Sequence, residues 1–199
     1  CAELASDSPA PGGGSIAALN GAMSSGLSAM VGNLTFAKKG YEEVRGEMEI
    51  VAEKAQPLKD FFLESIDRDT EAFNGLMAAF ALPKASEEEK QARQRAIDEA
   101  TREATRVPFT VLERSRTAAE LALAVAKKGN RNSLSDAGVA GLAAALCAEG
   151  ALYNVLINTQ ELPADAYRSE TRAQARQLCA CVLETVAKVR EEMEKSLAD

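Results

Sequence analysis

The chain has 199 residues, 46% hydrophobic, 27% charged and 5% aromatic, with a formal net charge of -7 and no histidine. That length supports one substantial core. An acidic chain with pI near 4.9 and few rings lacks the basic surface and stacking platforms that nucleic acid requires. Without histidine there is no Ser-His or Cys-His triad, so proton transfer falls to carboxylates, lysines, a tyrosine or bound water. The four cysteines, Cys1, Cys147, Cys179 and Cys181, lack a metal-ligand spacing and read as small hydrophobes in a reducing compartment. Apolar stretches are interrupted short of the ~20 residues a membrane span needs, and no basic-then-apolar leader is present. The expectation is a soluble, cytoplasmic chain with one domain over residues 1–199. The start at Cys1, without an initiator Met, reads as a trimmed or incomplete N-terminus.

In chain order, Pro9-Ala10-Pro11-Gly12-Gly13-Gly14-Ser15 comes first. Prolines fix the approach, glycines let the main chain come close to a ligand, and Ser15 is placed to cap a helix whose free N–H groups favour an anion or acceptor. The same run also serves as a plain helix lead-in. Helical spacing then predicts a first helix from about Ser15 to Lys39. It carries a seven-residue apolar pattern (Ile16, Met23, Met30, with Leu27 and Leu34) beside a stripe of small residues (Ala17, Gly21, Ser24 or Ser25, Ser28, Gly32). Such a helix is covered on most sides, at the centre of a bundle or in a subunit interface. Lys38 and Lys39 complement its C-terminal dipole, or form with Lys127, Lys128 or Arg131 a local basic spot for an anionic ligand.

A second helical stretch runs from about Glu42 to Phe80, bent or broken near Pro57. After the Leu82-Pro83-Lys84-Ala85 turn, Ser86 caps an acidic first turn at Glu87-Glu88-Glu89, and that helix continues to about Lys128 with a kink at Pro108. Gly129 to Ser135 is irregular, with Asn130, Asn132 and Asp136 as turn formers and Ser135 or Asp136 capping an apolar helix to about Asn158. Pro163 marks a turn before a last helix, about Ala164 to Leu197. With no strand alternation, the fold class is all-α, a bundle of long, partly kinked helices.

Two positions break this pattern. Phe62, Ile66, Phe73, Leu76 or Met77 and Phe80 form a stripe in which Asp69 occupies a core position. A carboxyl among apolar groups has a raised pKa and suits general acid/base work, or it caps a neighbouring loop. In Tyr153-Asn154-Val155-Leu156-Ile157-Asn158, two amides interrupt an apolar helix. Asn154 can hold a heterocycle by donating and accepting together, or bridge two helices.

Ser8-Pro9-Ala10-Pro11-Gly12-Gly13-Gly14-Ser15, Met30-Val31-Gly32-Asn33-Leu34-Thr35 leading to Lys38-Lys39, Asp67-Arg68-Asp69 before Glu71-Ala72-Phe73, Leu82-Pro83-Lys84, Gly129-Asn130 with Ser135-Asp136, and Tyr153-Asn154-Val155-Leu156-Ile157-Asn158 make six ordered motifs across the chain. Together they resemble the cyclodeaminase/cyclohydrolase family found as the C-terminal domain of formiminotransferase-cyclodeaminase and as free-standing folate enzymes. The resemblance implies a helical homodimer that binds a one-carbon derivative of tetrahydrofolate, polyglutamylated forms included, near the subunit interface. It implies no metal or redox cofactor; the acidic balance and the short apolar stretches point to neither nucleic acid nor membrane as partner. The implied reactions are conversion of the 5-formimino form to 5,10-methenyltetrahydrofolate plus ammonia, and hydrolysis of the methenyl form to 10-formyltetrahydrofolate. Asp69 is the implied acid/base, and Pro11, Gly12, Gly13, Gly14, Ser15, Lys38, Lys39, Asn130, Asp136 and Asn154 are the expected substrate-binding residues. The Gly12–Gly14 amides and Asn154 would position the pterin, with Lys38 and Lys39 drawing the glutamate tail. The alternatives are a non-catalytic dimerisation bundle and a folate-binding or channelling module.

Overall fold

The computed structural model describes residues 1–198. Five helices carry it: α1 Gly13–Phe36, α2 Arg45–Phe80, α3 Glu87–Lys128, α4 Leu134–Asn158 and α5 Ala166–Leu197. Short 3-10 turns lie at Glu3–Ala5, Glu42–Val44 and Arg131–Ser133, and among the described residues there is no strand. The chain is all-α, as its periodicity predicts.

The small-residue stripe of α1 forms the centre. Ala17, Gly21, Ser24, Ser25, Ser28 and Gly32 are buried, and the hydroxyls of Ser25 and Ser28 donate to the carbonyls of Gly21 and Ser24 one turn back, both at 2.9 Å. Small side chains let α2 approach until the Phe62 ring lies over Gly21, and the Met48 carbonyl and Ala52 over Gly32. These pairs run in opposite senses along the two helices, so α1 and α2 are antiparallel. On its other flank α1 meets α4, also antiparallel, with Gly13 near Asn154, Ala17 against Gly150, and the Asn130 N–H donating to Thr35 Oγ1 at 2.8 Å. Buried α3 residues Val111, Leu112, Leu121 and Val125 lie behind this pair, and α5 packs on α4 through Val189 over Gly141 and Met193 over Gly138.

The larger apolar stripe of α1 faces outward. Met23, Met30 and Leu34 are exposed, while Ile16 and Leu27 are half-buried. The reason is volume: the backbones of α2 and α4 lie too close to α1 for methionines between them. A comparable stripe on α4 (Val139, Leu142, Leu146, Tyr153, Ile157) is also exposed. Residues 131–158 are long and apolar enough by composition to cross a membrane, unlike the sequence-based expectation, but 56% of the most apolar window is buried against the other helices.

Several boundaries move. Helix α1 begins at Gly13 and ends at Phe36, so Lys38 and Lys39 lie beyond it. Pro57 and Pro108 sit inside continuous helices, and Pro108 is buried. The packing of Met48, Ala55, Leu58 and Phe62 around Pro57 holds that helix together despite the lost donor. Ser86 makes the expected cap reciprocally with Glu89. Neither Ser135 nor Asp136 caps α4, because the Arg131–Ser133 turn feeds straight into a helix starting at Leu134; Asp165 caps α5 through the Arg168 N–H at 2.9 Å.

The close approach at Gly21 is testable by thermal unfolding followed by circular dichroism. Gly21→Val drives a side chain into the Phe62 ring and is expected to lower stability by about 1–3 kcal/mol. Gly75→Ala, with open space around its added methyl, should raise stability by roughly 0.5–1 kcal/mol.

Candidate active site

The first turn of α1 consists of Gly13, Gly14 and Ser15, whose N–H groups precede the first intrahelical bond, from the Ile16 N–H to the Gly12 carbonyl at 3.1 Å. Gly12, not Ser15, is the N-cap residue, and it offers no side chain. Ser15 is instead buried and donates its hydroxyl to Asp69 Oδ2 at 2.8 Å. Asp69 lies so close over Gly14 that any Cβ there would overlap its carboxyl group. The carboxylate therefore sits against the electropositive start of a helix, where it holds a loop-to-helix junction and borders a cavity.

That cavity, about 210 Å³, is walled by the Pro9–Ala10 approach and Gly12–Gly14 on one side and by Asp69, Phe73 and Leu76 of α2 on another. Ala104 of α3 and the amides Asn154 and Asn158 of α4 close it. Asn154 donates Nδ2 to its own helix, at the Gly150 carbonyl, 2.8 Å, and so does not bridge helices. Asn158 does, giving Nδ2 to the Ala104 carbonyl at 2.7 Å. Burial pushes the Asp69 carboxyl above its ordinary range, against the opposing pull of the Ser15 hydroxyl and backbone N–H. A carboxyl so placed, facing a small cavity with two amides, can exchange a proton with a bound heterocycle.

Of the predicted site residues, Gly12, Gly13, Gly14, Asp69 and Asn154 line this one cavity and Ser15 holds Asp69 from behind. Pro11 precedes the turn, joined to Ala10 by a cis peptide bond, but is not part of the lining. Lys38, Lys39, Asn130 and Asp136 lie at the opposite end of the bundle, separated from the cavity by the length of α1, about 36 Å. There Asn130 Oδ1 accepts from Lys38 Nζ at 2.6 Å and from the Asn132 N–H at 3.0 Å, a turn-forming role. Asp136 sits in the first turn of α4.

Sequence reasoning missed Asn158, Phe73 and Leu76 as cavity walls. The α2 stripe is core only as far as Phe62 and Ser65; beyond Asp69 it is partly exposed and shapes the cavity. The signal was available, since Phe73 is one turn after Asp69 on the same face. Two wider grooves of about 630 and 690 Å³ follow the α2–α3 seam, where Arg106 pairs with Glu103 at 2.7 Å. Among the described residues, no three carboxylates or thiols gather as a metal-ligand set.

Comparison with known proteins follows the same lines. A family model described as Formiminotransferase-cyclodeaminase matches residues 1–177. The methenyltetrahydrofolate cyclohydrolase of Methylorubrum extorquens is 44% identical over 167 residues, 84% of this chain and 80% of that protein. The formimidoyltransferase-cyclodeaminase of Rattus norvegicus is 32% identical over 170 residues, 85% of this chain but 31% of that longer protein. The crystal structure of formiminotetrahydrofolate cyclodeaminase from Thermotoga maritima superposes with a TM-score of 0.86 at 30% identity, covering 98% of this chain and 93% of that one. The chain thus belongs to the formiminotransferase-cyclodeaminase family.

Proposed function

We propose that the protein is a folate one-carbon enzyme whose main reaction is hydrolysis of 5,10-methenyltetrahydrofolate to 10-formyltetrahydrofolate, with Asp69 as general base and then general acid. The observation that carries this reading is the raised Asp69 carboxyl, oriented by Ser15 over a cavity that also presents Asn154 and Asn158. Similarity over most of both chains to a methenyltetrahydrofolate cyclohydrolase favours this direction.

The ionised Asp69 takes a proton from water as its oxygen bonds to the methenyl carbon, giving a tetrahedral centre between N5 and N10. The C–N5 bond then breaks, Asp69 returns its proton to N5, and the hydroxyl proton leaves to solvent as the formyl C=O forms on N10. The reaction balances with water alone. The free N–H groups of the Gly13–Gly14 turn and the two amides supply donors and acceptors for the pterin edge, with the Phe73 ring as an apolar wall.

The superposition on a cyclodeaminase favours a second activity at the same residues. In it N10 attacks the carbon of the protonated formimino group on N5, Asp69 moves the N10 proton to the departing NH2, and ammonia leaves as the methenyl cation forms. Both reactions pass through a tetrahedral carbon flanked by N5 and N10, so one acid/base serves each.

The working unit is a homodimer joined through the α1–α4 face. Leu19, Met23, Met30 and Leu34 of α1 and Val139, Leu142, Leu146, Tyr153 and Ile157 of α4 are 37% to 63% exposed. Together they form an exposed apolar face on two adjoining helices, the kind of surface that marks an interaction site. Sedimentation should give about twice the 21.1 kDa chain mass.

Supplying each folate and following the methenyl absorbance tests the activity. It should fall with the methenyl substrate and rise with the formimino one, and no change with either sinks the reading. Asp69→Asn should reduce turnover by about 10²–10⁴-fold. Because burial raises the Asp69 pKa in the folded state, the unfolded chain ionises first as pH rises, and the native carboxylate costs stability above that point. Asp69→Asn should therefore melt no lower than the native protein at neutral pH. A large loss of melting temperature would make Asp69 a structural cap instead. Gly14→Ala, which displaces the carboxyl, should lose activity comparably.

A further inference from the structure

We propose that Asn154 and Asn158 form an acceptor wall for the edge of the reduced pterin that carries N8–H and the 2-amino group, so that α4 fixes which way the ring enters and selects for a ring with hydrogen on N8. The inference deepens the folate reading above and rests on it. It follows from how each amide is anchored. Nδ2 of Asn154 donates to the Gly150 carbonyl at 2.8 Å, and Nδ2 of Asn158 to the Ala104 carbonyl at 2.7 Å. Carbonyls only accept, so they fix the nitrogen end of each amide against the main chain and leave the oxygen end free. Among the described residues neither Oδ1 accepts a hydrogen bond, and the buried side-chain polar atom without a partner is Ser24 Oγ alone. Both oxygens are therefore within reach of a molecule in the cavity that the two residues line. Four positions apart, the residues share one face of α4, with Cβ atoms roughly 5–6 Å from each other.

The other walls have a different character. Gly13 and Gly14 bring main-chain N–H donors, Phe73 and Leu76 bring apolar surface, and Asp69 is the ionisable side chain of the lining. Thr70 turns its hydroxyl back to the Ile66 carbonyl at 3.4 Å. Helix α1 stands between acid and amides, with the Asp69 carboxyl over Gly14 and Asn154 Nδ2 beside Gly13. Asp69 on α2 and the two free oxygens on α4 thus approach the cavity from different flanks of the same helix start.

A reduced pterin has the matching asymmetry. The carbon between N5 and N10 has to meet Asp69, and N5 lies on the ring edge opposite N8–H, N1 and the 2-amino group. With N5 turned toward α2, the N8–H edge is turned toward α4. There N8–H and the amino group donate on either side of N1, two donors on one ring edge for two acceptors on one helix face. The reversed ring sets the lone pairs of O4 and N5 against the two oxygens, leaves all of them unpaired, and takes the reacting carbon away from Asp69. Folic acid is disfavoured on the same ground, since its N8 carries a lone pair where the reduced ring carries hydrogen.

Equilibrium dialysis tests this with tetrahydrofolate, its 8-deaza analogue (carbon in place of N8–H), its 2-desamino-2-methyl analogue and folic acid. Each analogue leaves one amide oxygen facing carbon, and each should bind the native protein about tenfold or more weakly than tetrahydrofolate, as should folic acid. Any of the three binding as tightly as tetrahydrofolate overturns the proposal. Asn154→Ala and Asn158→Ala should each weaken tetrahydrofolate by a similar factor and lose the discrimination against one analogue, a different one for each variant. An equal loss for all ligands makes the amides structural and overturns the proposal as well. Asn158→Ala also cuts a tie to α3, whereas Asn154→Ala frees only a carbonyl of its own helix. If the first fails to fold, the second and the analogues on the native protein still decide. Tetrahydrofolate that does not bind the native protein at all brings down the folate reading itself, a result distinct from the others.

Discussion

The contact between Ser15 and Asp69 joins the first turn of α1 to the middle of α2 across 54 residues of sequence, and the candidate site is organised around it. It forms only because Gly14 has no side chain, which lets the carboxyl lie almost on the backbone. Three physical consequences come from that one geometry. The carboxyl is oriented by a hydroxyl, it loses water to the packed bundle, and it faces a helix start whose N–H groups favour negative charge. Desolvation outweighs the hydrogen bonds, so the group stays nearer to protonation than an exposed aspartate. A fixed carboxyl that exchanges protons readily is what the proposed hydrolysis asks of Asp69.

Much of this was legible in the residues. Asp69 announced itself by occupying an apolar position in the α2 stripe, and Gly12–Gly14 by pairing chain flexibility with a helix start. The Ser86 cap and the all-helical class followed from local chemistry alone. What was illegible depended on distance. Lys38, Lys39, Asn130 and Asp136 share motifs with the site residues but sit a helix length away, because a linear motif does not reveal that α1 runs rigidly from one end of the bundle to the other. The outward turn of Met23, Met30 and Leu34 was hidden for a related reason. Periodicity identifies a stripe, but only the spacing between backbones decides whether methionines or serines fit beneath a neighbour.

Asn154 and Asn158 show the same limit on a smaller scale. Two amides one turn apart read alike in sequence, yet one bonds within its helix and the other ties α4 to α3. Their difference comes from what lies opposite. The close packing that brings the Ala104 carbonyl to Asn158 also leaves Asn154 beside Gly13, at the mouth of the cavity.

Helix α1 has a final consequence for how the protein comes apart. Its 24 residues include five glycines and four serines and no charge, a composition that would not hold a helix in isolation. Its order is borrowed from the walls around it. The corner around Ser15 and Asp69 therefore cannot fray independently while the rest of the bundle persists, and exchange of the hydrogen-bonded amides in the buried middle of α1, from Gly21 to Gly32, should track the global unfolding of the molecule. Activity and tertiary structure would be lost together on heating, in a single cooperative step.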